Sequence, residues 1–78
     1  PNTTINYDLP DNAHVSLVIY DLMGNKVITL IEEPKAAGSR SVQWDATNNK
    51  GEPVSAGMYI YNIQAGQFTH TKKMVLLK

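Results

Sequence analysis

Apolar and polar side chains alternate along most of this chain, and no stretch repeats its apolar positions at the three-and-four spacing of a helix. A period of two sends successive side chains to opposite faces of a pleated strand, so each alternating run predicts a strand with one buried face. TTINYDL (Thr3–Leu9) sets Ile5, Tyr7 and Leu9 on one side, and Pro10 ends the run. HVSLVIYDL (His14–Leu22) sets Val15, Leu17 and Ile19 against Ser16, Val18 and Tyr20. Gly24 and Asn25 then form a hairpin signal, because glycine accepts positive φ without penalty, and KVITLI (Lys26–Ile31) is the return strand. EEPKAAGS (Glu32–Ser39), punctuated by Pro34 and Gly38, is expected to be a longer connection.

The alternation resumes in RSVQWDA (Arg40–Ala46), with Val42 and Trp44 in phase. A polar stretch from Thr47 to Gly57 carries Asn-Asn-Lys-Gly and Pro53, which is turn chemistry. MYIYNIQ (Met58–Gln64) aligns Tyr59, Tyr61 and Ile63, and Ala65–Gln67 makes a tight reversal. FTHTKKMVLLK (Phe68–Lys78) sets Phe68, His70, Lys72 and Met74 on one side and Val75 and Leu77 on the other. Six strands result, or seven if Pro53–Ser55 pairs briefly, with turns every eight to twelve residues. The predicted fold is all-β: one small antiparallel, immunoglobulin-like β-sandwich. Its expected core holds Leu17, Ile19, Val42, Trp44, Tyr59, Tyr61 and Ile63. SAGMYIY (Ser55–Tyr61) resembles the tyrosine corner of such sandwiches, with Tyr59 turned inward and its hydroxyl bonding backbone.

Composition narrows the functional classes. Seventy-eight residues make one domain with a small core. The absence of cysteine excludes disulfides and thiolate zinc sites. Seven Lys and Arg balance seven Asp and Glu, so the basic surplus that nucleic acid demands is missing. The charge is uneven nonetheless: residues 1–34 hold five acids and one Lys, whereas 53–78 hold three Lys and no acid. No apolar run approaches the ~20 residues of a membrane helix. Pro1 stands where an initiating Met would, so a module of a longer polypeptide is expected.

Candidate chemistry is sparse. Counted from Asp45 as an EF-hand-type calcium loop, Thr47 and Asn49 fall at ligand positions, but Lys50 takes the place of the Gly and Ala56 that of the bidentate Glu. Weak calcium binding by Asp45 and Asn48 is the alternative to a plain turn, and the turn is the better reading. His14 and His70 lie within strands, and Ser16, Ser39, Ser41 and Ser55 lack a nucleophile elbow. No catalytic residue, cofactor site or metal site is therefore assigned. Tyr7, Tyr20, Trp44, Tyr59, Tyr61 and Phe68 could stack sugar rings, as in a carbohydrate-binding accessory domain of a secreted hydrolase. Core filling is favoured because Trp44, Tyr59 and Tyr61 share the phase of Val42 and Ile63.

TTINYDLP, VSLVIYDLMGNKV, WDATNNKGEPVSAGMYIYNI and the terminal KKMVLLK together resemble the type A C-terminal sorting domains of type IX (Por) secretion. They are also similar to the closely related Ig-like domain of the flagellar hook-capping protein. The first resemblance implies a non-catalytic sorting module at the C-terminus of a longer secreted protein, carrying an N-terminal cargo domain across the outer membrane to the cell surface or medium. Its implied partners are the outer-membrane secretion machinery and a sortase-like protease. Its implied recognition residues are Gly57, Tyr59, Lys72, Lys73, Met74, Val75, Leu76, Leu77 and Lys78. The physical reasoning beside it is that a final strand of mixed basic and apolar residues makes an edge, open to strand addition or to an edge-strand dimer. The second resemblance implies an assembly or interaction module instead.

Overall fold

The computed structural model describes Asn2 to Leu77 and contains six strands among those residues. They are β1 (Thr3–Leu9), β2 (Ala13–Tyr20), β3 (Lys26–Lys35), β4 (Gly38–Trp44), β5 (Gly57–Ala65) and β6 (Phe68–Leu76). β1 and β4 form a two-stranded antiparallel sheet, and the order β3-β2-β5-β6 forms a four-stranded one. The sandwich is therefore lopsided, with two strands facing four.

Hairpins join β2 to β3 and β5 to β6. The first is closed by Asp21, whose Oδ1 accepts the backbone N–H groups of Met23 and Asn25, while Gly24 takes φ 88°. The pairings that make the sandwich are distant in sequence: Thr3 lies opposite Trp44, and Val15 opposite Ala65. Each strand contributes its in-phase apolar residues to one core containing Ile5, Leu9, Val15, Leu17, Ile19, Ile31, Trp44, Tyr59, Ile63 and Leu76. Val42 and Tyr61, both expected inside, pack against that core and are half-buried. Val18 is buried on the outer face of the large sheet, where the alternation allows either a covered or an exposed residue.

Several expected boundaries change, among them the start of β4 at Gly38, inside the stretch expected to be a connection, and the end of β6 at Leu76. Glu32–Lys35 is not a connection but the continuation of β3, with His14 opposite Pro34. Proline is compatible with that place because β3 is an edge strand, so the missing N–H need not face a neighbour. The strand expected to run through Leu22 stops at Tyr20, where the Asp21 turn begins, and β4 stops at Trp44 rather than Ala46. Ala46 turns the chain at φ 64°, a left-handed backbone at which its short side chain is buried. Pro53 does pair briefly, through an isolated bridge to Thr47, without making a seventh strand.

Candidate functional site

The polar loop after β4 is organised by its own side chains. Asn48 Oδ1 accepts the N–H groups of Lys50 and Glu52 at 2.9 and 3.0 Å, and its Nδ2 donates to the Glu52 carboxylate. Thr47 donates its hydroxyl to Asp45. The oxygens weighed as calcium ligands are thus engaged in turn hydrogen bonds. Asn49 reaches further: its N–H donates to the Val27 carbonyl at 3.2 Å, and its Oδ1 accepts the Thr29 N–H at 3.3 Å. That capping of β3 by a residue 20 positions away has no local signature in the sequence.

Trp44 and Tyr59 anchor both ends of the loop. The indole is fully buried and donates Nε1–H to the Thr47 carbonyl at 2.8 Å. The Tyr59 hydroxyl donates to the Ser55 carbonyl at 2.6 Å, the bond of a tyrosine corner. The two rings meet edge to face, with centroids 5.1 Å apart. Gly57 opens β5 at φ 145°, a conformation that side chains disfavour, and so aims Tyr59 inward.

Of the residues named for recognition, Gly57 and Tyr59 belong to this anchored corner, and the rest lie on or just beyond β6. Among the described residues β6 pairs with β5 alone, so its other side is a sheet edge. Leu76 is buried and Met74 half-buried, whereas Lys72, Lys73, Val75 and Leu77 are exposed. Lys78 lies outside the described residues.

Two further features carry polar chemistry. His14 Nε2 lies 2.6 Å from Glu32 Oε2, and Ser16 donates to Glu32 Oε1 at 3.2 Å, all on the exposed face of β2 and β3. Those contacts, His14 first, hold the Glu32 carboxyl below its ordinary value of 4.5. A groove of about 270 Å³ separates β1 from β5 and β6, walled by Tyr7, Asp8, Tyr61, Phe68, His70 and Lys72. Sequence pattern alone missed the groove, because it arises from the mismatch in sheet width.

A model of the FlgD Ig-like domain family matches residues 1–68. The chain belongs to the FlgD Ig-like domain family. The crystal structure of FlgD from P. aeruginosa superposes with a TM-score of 0.79 at 25% sequence identity, over 97% of this chain and 61% of that one. This FlgD-type domain thus spans under two thirds of that solved FlgD chain. No curated protein matches it.

These matches overturn the type IX sorting function, and with it the secretion machinery and sortase-like protease as partners. The family and the solved neighbour are both FlgD. The stretches that carried the sorting resemblance are largely the fold's own anchors. The Trp-Asp and Gly-x-Tyr-x-Tyr patterns build the buried indole and the tyrosine corner described above.

Proposed function

We infer that this domain is a non-catalytic assembly and interaction module of the flagellar hook-capping type. The observation that carries the reading is the FlgD Ig-like match across residues 1–68. Its support is the agreement of the backbone with a solved FlgD over 97% of the chain. The arrangement of side chains is consistent with binding rather than turnover. The His14–Glu32 pair sits on an open sheet face, with both side chains more than half exposed, where water competes for every polar contact. The polar and aromatic contacts of the fold go instead into holding two sheets and an ordered loop, which present rigid edges to a neighbour. On this reading the domain works outside the cell, as part of a surface assembly.

The test is sedimentation velocity of the 78-residue chain, alone and mixed with purified FlgD and hook subunits. Association with itself or with either component is expected. A chain that remains monomeric and sediments independently of both, at concentrations up to hundreds of micromolar, would overturn the reading.

A further inference from the structure

We propose that the groove between β1 and β6 receives an extended segment of a partner protein, which adds as a third strand to β1 and lies over β6. The width of the two sheets leads to this. β1 pairs with β4 alone among the described residues, so its other edge retains unpaired backbone groups facing the groove. β6 pairs with β5 so that Phe68, His70 and Lys72 stand beside Ala65, Ile63 and Tyr61 on the face that looks toward the small sheet. No strand of the small sheet covers them. Phe68 is consequently 49% exposed although it points to the core side, and its ring lies parallel to His70 at 6.2 Å.

The opposite flank is already served by the chain itself. Asn49 caps the edge of β3, and Pro34 interrupts it. In the cleft between β3 and β4 the cations already have partners within the chain: Lys35 Nζ lies 3.5 Å from the Glu33 carboxylate, and Arg40 donates to the neutral Ala36 carbonyl. Lys72 and His70, by contrast, make no ion pair among the described residues, and residues 53–77 contain no acid. Asp8 on the β1 wall already accepts the Ser39 hydroxyl at 2.9 Å and the β6 wall is basic, so charge complementarity assigns the occupant a carboxylate opposite Lys72, with apolar side chains at alternate positions over Phe68 and Tyr61. A symmetric pairing of two copies through β6 would instead bring Lys72 and Lys73 of each copy together.

The inference deepens the assembly reading by stating what the partner presents, and it has its own readout. The probe is the capped peptide acetyl-Val-Thr-Val-Thr-Glu-Thr-Val-amide, titrated into the isotope-labelled 78-residue chain and followed by NMR. Shifts at β1 and at Phe68, His70 and Lys72, with slowed amide exchange along β1, are expected. N-methylation of alternate peptide amides should abolish binding for one set and spare the other, since a single strand edge pairs. Lys72→Glu should weaken the peptide about tenfold and strengthen its Glu-to-Lys analogue by a similar factor. Four results would each overturn the proposal: no shifts, equal binding by both N-methylated sets, indifference to Lys72→Glu, or groove shifts that depend on chain concentration without peptide. The last would give the groove to a second copy. None of the four touches the association with FlgD or hook subunits measured by sedimentation.

Discussion

Tyr59 shows how one hydroxyl fixes a corner. Its ring would be buried by alternation alone, but the 2.6 Å bond to the Ser55 carbonyl ties the end of the polar loop to the start of β5. Tyr59→Phe keeps the packing against Trp44 and removes the bond, so a loss of about 0.5–1.5 kcal/mol is expected in urea denaturation. A variant as stable as the parent would show that water serves the Ser55 carbonyl equally well. Two acids make a second residue-scale case. Backbone N–H donation, from Asn25 first, holds the Asp21 carboxyl below its ordinary 3.8, and hydrogen bonding by His14 and Ser16 holds Glu32 below 4.5. Both folded values are depressed, so their contributions are present above those ordinary values and disappear as pH falls through the folded ones. Stability should therefore decline from about pH 4.5 downward. The double variant Asp21→Asn, Glu32→Gln should flatten that decline, read as the urea midpoint against pH; an unchanged slope would assign acid sensitivity to other groups.

At the scale of elements, local chemistry was legible and distant capping was not. β1 could be read to its last residue because Ile5, Tyr7 and Leu9 alternate cleanly and Pro10 closes the run. The corner at Tyr59 was legible because small residues, Gly57 and the aromatic lie within five positions. β3 was cut short because Pro34 reads as a breaker unless the strand is known to be at an edge, and edge position is a property of the assembled sheet. The Asn-rich loop was legible as a turn, but its grip on β3 was hidden, since Val27 and Thr29 lie 20 or more residues upstream. That grip yields a prediction. Asn49→Ala should speed amide exchange at Thr29 while leaving global stability nearly unchanged, because the contact is exposed and closes only one edge. Thr29 protection equal to that of the parent would mean that the loop does not shield the strand in solution.

For the whole molecule, the sequence pattern supplied the strands but not the mismatch between sheets, since alternation marks a buried face without saying how many strands lie over it. The same topology bears on folding. Only the β2-β3 and β5-β6 pairings are hairpins; β1-β4 and β2-β5 join residues roughly 30 to 50 positions apart, and neither sheet reaches its final width without them. Each such closure orders the intervening chain before burial compensates it, so mostly non-local sandwiches fold slowly, on the order of milliseconds to seconds. Trp44 reports the decisive event, because it sits in β4 opposite Thr3 and is fully buried only when the small sheet docks and Tyr59 meets its edge. Stopped-flow refolding followed by this single tryptophan should therefore show one phase in that range. Trp44 burial within microseconds would mean that the corner between Trp44 and Tyr59 assembles as a local unit, with the β1-β4 pairing following it rather than making it.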